Sequence, residues 1–566
     1  SLAGRGVGPG DPAGHPGPAE RGAHRRAFSR TPLMMPADPW RIGLAAVPLA
    51  ALLAGLLVLR WSAVRAAAVA LAVTSLLAGA VYRTPPAGLV AALARAAVTS
   101  LHVLYIIWAA LLLYEIADRV GAIASIGEEV FGLTEDHVLQ LLIVGFAFSS
   151  FLQGVAGFGV PVAVTAPLLL GLGFAPLEAA AAPLVGHAWA VTMGDMASSF
   201  QALRAVTGLP ARALGVWTAA LLGGVAVATG FAVAHVHAGP RPFRRALGAI
   251  AILGAVMGVV QLLLALAQHW VVASFGAGMV GLVVGVAVAR LARRRGPAWL
   301  GTLPAWPPPY PRDERPRSVH AGRAAMGFHE AFLPYYTLIG VVGTATFVPP
   351  VRRTLESVIL TAHFVAVPTG LGWPGEGGEV HFPPLAHPGA LLLYASGLTV
   401  VLYRLRGRTV AGWRRLWAAV VRQGAPTSAA VLLLVGMATL MGASGMTFLL
   451  AQGLVTLVGP AFPLLSPLLG LLGTVITGSN TNSNVLFGSL QRDAARLLGM
   501  DPVLMAALQT AGGSVGSMVA PAKVVLATAA VGLSGQEGRV MRLTARYALP
   551  MTVALGLVGW ALQVAR

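Results

Sequence analysis

Cysteine is missing from this chain of 566 residues, and charged residues are scarce. Without cysteine, disulfide bonds, thiol catalysis and cysteine-ligated metal sites are excluded. Only 10% of the residues are charged, whereas 56% are hydrophobic and the mean hydropathy is +0.76. These values are typical of a polytopic membrane protein and need no soluble domain to explain them.

Lysine is almost absent as well, because Lys523 is the one lysine among 39 basic residues. The formal net charge of +19 would indicate a nucleic-acid partner in a soluble protein. Here the arginines cluster in short loops between apolar runs, as the positive-inside rule expects of cytoplasmic loops. We therefore expect the lipid bilayer as a partner and no nucleic acid.

Lys523 lies in a different setting, in the apolar run VAPAKVVLATAAVGL. Lysine is a compact point charge, and a charge at membrane depth indicates a functional site. The alternative is a lysine at a helix end whose ammonium reaches the interface.

Runs of apolar residues predict an all-α polytopic membrane protein with about 12 to 14 transmembrane helices. Several runs are shorter than a full span, so we expect re-entrant or broken helices at the midplane of two inverted repeats. The predicted division is a disordered N-terminal extension (residues 1–39), a first transmembrane half (40–292), a cytoplasmic linker rich in Arg and Pro (293–330) and a second transmembrane half (331–566).

An internal repeat supports the two halves. LGFAP at residues 172–176 matches LGMDP at residues 498–502, at an offset of 326. The same offset places QGVAGF, residues 153–158, opposite SNTNSN, residues 479–484. Small or polar residues persist inside a bilayer only where they are buried in protein or line a cavity. Paired breaks in two halves indicate a transporter site at the midplane.

Hydroxyl and amide groups at these breaks suit a solute that carries a hydroxyl and a carboxylate, and helix N-termini there would favour an anion. The predicted substrate-binding residues are Ser149, Gln153, Ser444, Ser479, Asn480, Thr481, Asn482, Ser483, Asn484 and Lys523.

Glycines near the breaks are predicted to let the backbone bend and the helices approach closely, although helix packing alone is an alternative. They are Gly154, Gly157, Gly159, Gly478, Gly512 and Gly513. The GxxGxG pattern within residues 154–159 does not indicate a dinucleotide site, since no strand precedes it and no acidic residue follows at ribose spacing.

Two long segments carry a family resemblance. FLQGVAGFGVPVAVTAPLLLGLGFAPLEAA and FPLLSPLLGLLGTVITGSNTNSNVLFGSLQ resemble the two signature regions of the L-lactate permease family, as do GGSVGSMVAP and ATAAVGLSGQEG. The resemblance implies a multi-pass carrier in a prokaryotic inner membrane that moves lactate or glycolate with protons. Three positions at which family members usually carry Glu, Asp and Lys hold Gln153, Asn480 and Ser517 here.

Three other positions, uncharged in most of the family, are ionisable in this chain: His187, Asp195 and Lys523. The repeat offset maps Asp195 onto position 521, two residues from Lys523, so inverted repeats would bring the two together. We hypothesise a buried Asp195/Lys523 pair in which the substrate carboxylate competes for Lys523 while Asp195 takes a proton that His187 relays. The alternatives are a loop residue or helix cap for Asp195 and hydrogen-bonded packing for His187.

The sequence therefore predicts a secondary active transporter that imports lactate or a related 2-hydroxy monocarboxylate such as glycolate by proton symport. The open alternatives are a carrier of another small organic anion, either a dicarboxylate or another monocarboxylate, and an anion channel. An enzyme is not expected, because no second intramembrane aspartate accompanies Asp195 for acid–base chemistry. No cofactor or metal is expected, and a homo-oligomer is left open.

Overall fold

The computed structural model describes residues 38–59, 61–122, 125, 136–155, 157, 159–238, 240–295, 326–410, 412–534 and 536–565. Residues 1–37 of the predicted N-terminal extension and residues 296–325 of the predicted linker lie outside this description, as do residues 156 and 158 in the first break.

Ten helices precede the linker in the described part of the chain. Proline stands at the start of several of them, where its missing N–H costs nothing. They are α1 (Pro39–Leu53), α2 (Ala63–Ala80), α3 (Pro86–Arg119), α4 (His137–Val155), α5 (Val160–Gly171), α6 (Pro176–Gly186), α7 (Ser198–Thr207), α8 (Ala211–Ala238), α9 (Pro240–Leu266) and α10 (Ala273–Arg295).

Eleven helices follow the linker in the described part of the chain, and a long insertion separates the third from the fourth. They are α11 (Phe328–Ala331), α12 (Leu333–Phe347), α13 (Pro349–Glu356), α14 (Pro388–Leu405), α15 (Trp413–Ala443), α16 (Met446–Val458), α17 (Phe462–Thr477), α18 (Asn480–Leu497), α19 (Pro502–Gly516), α20 (Pro521–Ala530) and α21 (Glu537–Val564).

The insertion between α13 and α14, residues 357–387, is called the arm below. It contains an antiparallel hairpin of β1 (Leu360–Phe364) and β2 (Gly378–Phe382), with Ala362 opposite Val380. Apart from this hairpin, the described residues form helices and their connections.

Within the described residues, eleven helical segments are long and apolar enough to cross a membrane. Three further apolar helices, Pro39–Leu53, Val160–Gly171 and Leu333–Ala345, are shorter. The predicted all-α polytopic membrane fold is confirmed, and the expected twelve to fourteen spans are reached only when these short helices are counted. The 12 residues of α5 extend about 18 Å, well short of a hydrocarbon core about 30 Å thick.

Helices α4 and α5 form one helical hairpin, and α17 and α18 form another. The chain turns at Gly159 (φ +85°) and at Gly478 (φ +74°), conformations that glycine adopts without strain. After each turn, the next helix is followed by a left-handed glycine and then a proline-started helix: Gly173 and Pro176, then Gly499 and Pro502. Gly173 and Gly499 are 326 residues apart, and so are Pro176 and Pro502. This is the offset found in the sequence.

The two hairpins open toward opposite ends of α8. This helix has 28 residues and is therefore about 42 Å long. Thr207, just before it, accepts a hydrogen bond from Arg492 of α18 at 3.0 Å. His237, in its last turn, lies 2.9 Å from Glu178 of α6. We call these the arm end and the linker end; an inverted repeat predicts this arrangement, and the symmetry itself stays a prediction.

Candidate functional site

A cavity of about 410 Å³ lies between the tips of the two hairpins. Its volume is in the range of small-molecule sites. It is lined by the two breaks and by parts of α2, α7, α15 and α20: Ser62, Ala63, Val64, Gln153, Gly157, Val191, Asp195, Ser198, Ser199, Gln423, Pro426, Thr427, Ala430, Thr477, Gly478, Ser479, Asn480, Thr481, Asn482, Ala522, Lys523 and Leu526.

Four helices present their first turns to this cavity. They are α2, which begins after Ser62; α7, through Ser198 and Ser199; α18, through Asn480; and α20, through Lys523. The first N–H groups of a helix have no partner within it and carry a partial positive charge. Converging helix N-termini make the cavity favourable for an anion.

Lys523 is 8% exposed and points toward the end of α6. Its Nζ lies 3.1 Å from Nε2 of the fully buried His187, whose Nδ1 lies 2.5 Å from the carbonyl oxygen of Pro183. In the tautomer that donates from Nδ1, Nε2 accepts from the ammonium group. Lys523 makes no other hydrogen bond within the described residues, so two of its donors are available to a ligand.

Asp195 lies on another wall of the same cavity and is 6% exposed. Its Oδ2 accepts a hydrogen bond from Ser198 at 3.0 Å, whereas the buried Oδ1 has no partner in the described part of the chain. Such an unsatisfied acceptor costs about 1 to 3 kcal/mol. A proton, a water molecule or a substrate hydroxyl would satisfy it.

The backbone at Asp195 is strained. Asp195, Met196 and Ala197 have φ values of +50°, +50° and +60°, so three successive residues with a Cβ are left-handed. Each costs about 1 to 2 kcal/mol relative to ordinary conformations. Strain of this kind is concentrated at functional sites, where the surrounding structure enforces it.

Both members of the hypothesised Asp195/Lys523 pair are buried and line the same cavity. No ion pair joins them among the described side chains, and Lys523 bonds to His187 instead. The repeat offset maps Asp195 to the start of α20, but the side chains reach the cavity from different walls. His187, at the end of α6, takes the position that the prediction gave to Asp195.

Five of the predicted polar residues line the cavity: Gln153, Ser479, Asn480, Thr481 and Asn482. Three of them have a buried amide oxygen without a partner among the described residues, namely Gln153, Asn480 and Asn482. Buried acceptors are normally satisfied, so these three oxygens lack a donor that the described residues do not supply.

Four predicted substrate residues do not line the cavity. The hydroxyl groups of Ser149 and Ser444 donate to carbonyl oxygens one turn earlier, at 2.7 and 2.8 Å. Ser483 donates to Gly470 at 2.9 Å, and Asn484 donates to Ser199 at 2.8 Å. A serine in a helix commonly donates to the carbonyl oxygen one turn earlier, as Ser149 and Ser444 do. Asn484 lies a full turn beyond the tip of its hairpin.

The six predicted glycines lie at turns or close approaches. Gly159 and Gly478 form the left-handed turns described above. A Cβ at Gly154 would collide with the backbone of Phe275, and one at Gly512 with the carbonyl of Pro467. A Cβ added to Gly513 would collide with Asn480 Oδ1, and a Cβ added to Gly157 would lie 3.3 Å from the Asp195 Cβ.

Sequence reasoning missed the first turn of α7. Ser198 bonds to Asp195, and Ser199 Oγ lies 2.9 Å from Thr481 Oγ1 on α18. Thr192, just before this turn, accepts from the amide of Asn480 at 3.0 Å. The signal was available, because MGDMASS interrupts an apolar region much as SNTNSN does.

The described ranges contain no group of three His, Asp or Glu side chains that could hold a metal ion.

Comparison with known proteins identifies the group to which these features belong. The family model described as L-lactate permease matches residues 42–565. This chain belongs to the L-lactate permease family. It is a multi-pass protein of the bacterial inner membrane, and the site described above lies in a member of a family of membrane transport proteins.

Two relatives show how far the similarity to other L-lactate permease family members extends. The L-lactate permease of Bacillus subtilis (strain 168) is 29% identical over 537 residues, which cover 89% of this chain and 92% of that relative. The glycolate permease GlcA of Escherichia coli (strain K12) is 27% identical, covering 80% of this chain and 83% of its own.

Among solved structures, the crystal structure of the Alcanivorax borkumensis YdaH transporter matches 81% of this chain and 84% of its own. At 16% identity and a TM-score of 0.39, this likeness is too weak to support a conclusion about the family member described here.

Proposed function

We propose that this protein is a secondary active transporter that imports lactate, or a related 2-hydroxy monocarboxylate such as glycolate, by proton symport. The observation that carries the proposal is the cavity, which is lined by one ammonium group, by four helix N-termini and by residues whose amide oxygens have no partner among the described residues. The names of the relatives supply the candidate solutes.

A 2-hydroxy acid complements both kinds of group in the cavity. Its carboxylate accepts from the free donors of Lys523 and from the first N–H groups of α18. Its hydroxyl donates to one of the amide oxygens of Gln153, Asn480 or Asn482, each of which lacks a donor among the described residues. An acid without the hydroxyl would leave that oxygen unsatisfied, at a cost of about 1 to 3 kcal/mol.

The charge of the cavity favours a monocarboxylate over a dicarboxylate. Among the described lining residues, Lys523 is the one base and Asp195 the one acid. A second carboxylate would be buried without a cation, and an uncompensated buried charge is strongly unfavourable.

Charge balance also gives a physical reason for proton coupling. The cavity wall contains one positive and one negative side chain, and a bound monocarboxylate would add an excess negative charge. Protonation of Asp195 at the unpartnered Oδ1 would restore neutrality, so the anion and the proton stabilise each other in the site. His187, bonded to Lys523, is the candidate group for relaying that proton.

The test is radiolabelled L-lactate uptake into proteoliposomes, with and without an inward proton gradient. We expect saturable uptake in the wild type that the gradient accelerates and that exchanges with internal lactate. Unsaturable flux without exchange would instead indicate a channel. If correctly folded protein takes up neither lactate nor glycolate, the proposal is wrong.

A further inference from the structure

The arm reaches back into the helical bundle through the carboxylate of Glu376. One oxygen, Oε2, lies 3.5 Å from Nη1 of Arg95 on α3, and the other, Oε1, lies 4.0 Å from Nη2 of Arg492 on α18. Trp373 of the arm donates from its ring nitrogen to the carbonyl oxygen of Gly442 on α15 at 3.0 Å. Three helices therefore form a recess that holds an acidic side chain of the arm.

Gly442 makes the room for this carboxylate. A Cβ at position 442 would come within 2.6 Å of Glu376 Oε1 and 2.9 Å of its Cδ. Because residue 442 has no side chain, the recess admits a carboxylate group directly against the backbone of α15.

Glu376 fits this recess loosely. Charge-assisted hydrogen bonds between guanidinium and carboxylate are about 2.7 to 2.9 Å long, and both distances here are longer. Nη1 of Arg95 is buried and has no hydrogen-bond partner in the described chain. Arg492 is also held by Asp493 at 2.7 Å and by the carbonyl of Thr207 at 3.0 Å. One donor thus remains unsatisfied while Glu376 is in place.

The charges in the recess fit one carboxylate. With Glu376 present, Arg95 and Arg492 balance Glu376 and Asp493. When the arm withdraws Glu376, one positive charge is uncompensated, which a single carboxylate would neutralise.

The recess lies at the far end of the helix pair that lines the cavity. Helices α7 and α18 are in contact at the cavity, where Ser199 meets Thr481, and at the recess, where Arg492 meets Thr207. Arg492 is twelve residues beyond Asn480, a rise of about 18 Å along the helix.

We propose that Arg95 and Arg492 form a second carboxylate site at the arm end, which the substrate carboxylate enters by displacing Glu376. This inference rests on the proposed function, in which the solute is a monocarboxylate. It also takes the arm to face outside, because the arm lies at the end of α8 opposite to the linker, which is predicted to be cytoplasmic. Glu376 is then an internal ligand that covers the arm end while no solute is bound there.

Transport kinetics give the first test, in proteoliposomes of known orientation. Arg95→Gln should raise the KM for external L-lactate about tenfold, since it removes one charge-assisted contact. Glu376→Gln should lower the external KM, because it removes the internal competitor, and neither change should alter the KM for efflux from the other side. The matched control is Arg352→Gln, an exposed arginine of α13 whose ion-pair partner is Glu356.

An equal change of KM on both sides in Arg95→Gln would overturn the proposal. A raised external KM in Glu376→Gln would also overturn it. Both results would mean that the contacts of Glu376 with Arg95 and Arg492 only stabilise the fold.

A labelling experiment tests the site without relying on transport. The chain has no cysteine, so Ala443→Cys, next to Gly442 and 7% exposed, introduces one thiol beside the recess. Sodium L-lactate or sodium acetate should accelerate its reaction with a membrane-impermeant maleimide, relative to sodium chloride at equal ionic strength. In the Glu376→Gln background, the reaction should be fast already and insensitive to carboxylates.

The two proposals can fail separately. Suppose that neither lactate nor acetate changes the labelling rate of the Ala443→Cys protein, while lactate uptake is intact. This result would overturn the second carboxylate site at Arg95 and Arg492 (the outer site) alone. A labelling rate that responds to acetate, in a protein that takes up neither lactate nor glycolate, would support the outer site and contradict the proposed function.

Discussion

At the residue scale, the proposed solute binding depends most on Lys523. Among the described residues that line the cavity, it is the one cation, and it has donors free for a ligand. Arginine is larger and planar, so it is a poor replacement in a site that holds a compact charge against His187.

Replacing Lys523 should therefore weaken solute binding. Lys523→Gln should raise the KM for L-lactate about tenfold or more, because a hydrogen bond to a charged group contributes about 1.5 to 3 kcal/mol. Lys523→Arg should restore only part of the affinity. Initial uptake rates over a range of lactate concentrations measure both. The control is Arg290→Gln, an exposed cation on α10 that does not line the cavity; an unchanged KM in Lys523→Gln would contradict the assignment.

A single functional residue was predictable where its residue type is rare in the chain. Lys523 is a candidate from its rarity and apolar surroundings alone. Ser149 and Ser444 do not line the cavity. The sequence could not indicate this, because a helical hydroxyl bonds to its own backbone and the sequence does not reveal which face it lies on. The partner of Lys523 was also missed, since a choice between His187 and Asp195 depends on the direction of one side chain.

At the element scale, the helical hairpins depend on glycines that allow backbone contact. Gly512 of α19 lies against the carbonyl oxygen of Pro467 on α17. The hairpin of α17 and α18 is held in place by this contact, together with the bond from Ser466 to the Met505 carbonyl at 2.8 Å.

Gly512→Ala should destabilise the protein, because the added methyl group cannot be accommodated without moving one helix. Overpacking of this kind costs about 1 to 3 kcal/mol. The matched control is Gly224→Ala in α8, where a Cβ would meet nothing within 4 Å and alanine is the better helix former. Thermal unfolding in detergent should show a lower midpoint for Gly512→Ala alone; equal midpoints would contradict the packing argument.

The breaks themselves were visible in the sequence, because a polar or glycine-rich segment between apolar runs of a membrane protein must be buried in protein or line a cavity. Their exact turns were less visible. Asp195, Met196 and Ala197 are left-handed although none of them is glycine, so no residue type in this stretch indicates the turn.

At the scale of the whole molecule, the two halves place one hairpin tip each at a shared cavity. The offset of 326 residues between LGFAP and LGMDP predicted this arrangement, and the left-handed Gly173 and Gly499 have the same spacing. The number of complete spans was harder to predict, because hydropathy alone does not separate a short re-entrant helix from a full crossing.

Asp195 is the proposed coupling group of the whole transporter, so the most direct test separates proton-driven accumulation from exchange. Asp195→Asn mimics the protonated, neutral side chain and should leave solute binding intact. Proteoliposomes with this variant should therefore exchange internal for external labelled L-lactate, yet fail to accumulate it under an inward proton gradient. Gradient-driven accumulation at the wild-type level in Asp195→Asn would contradict the proposed coupling.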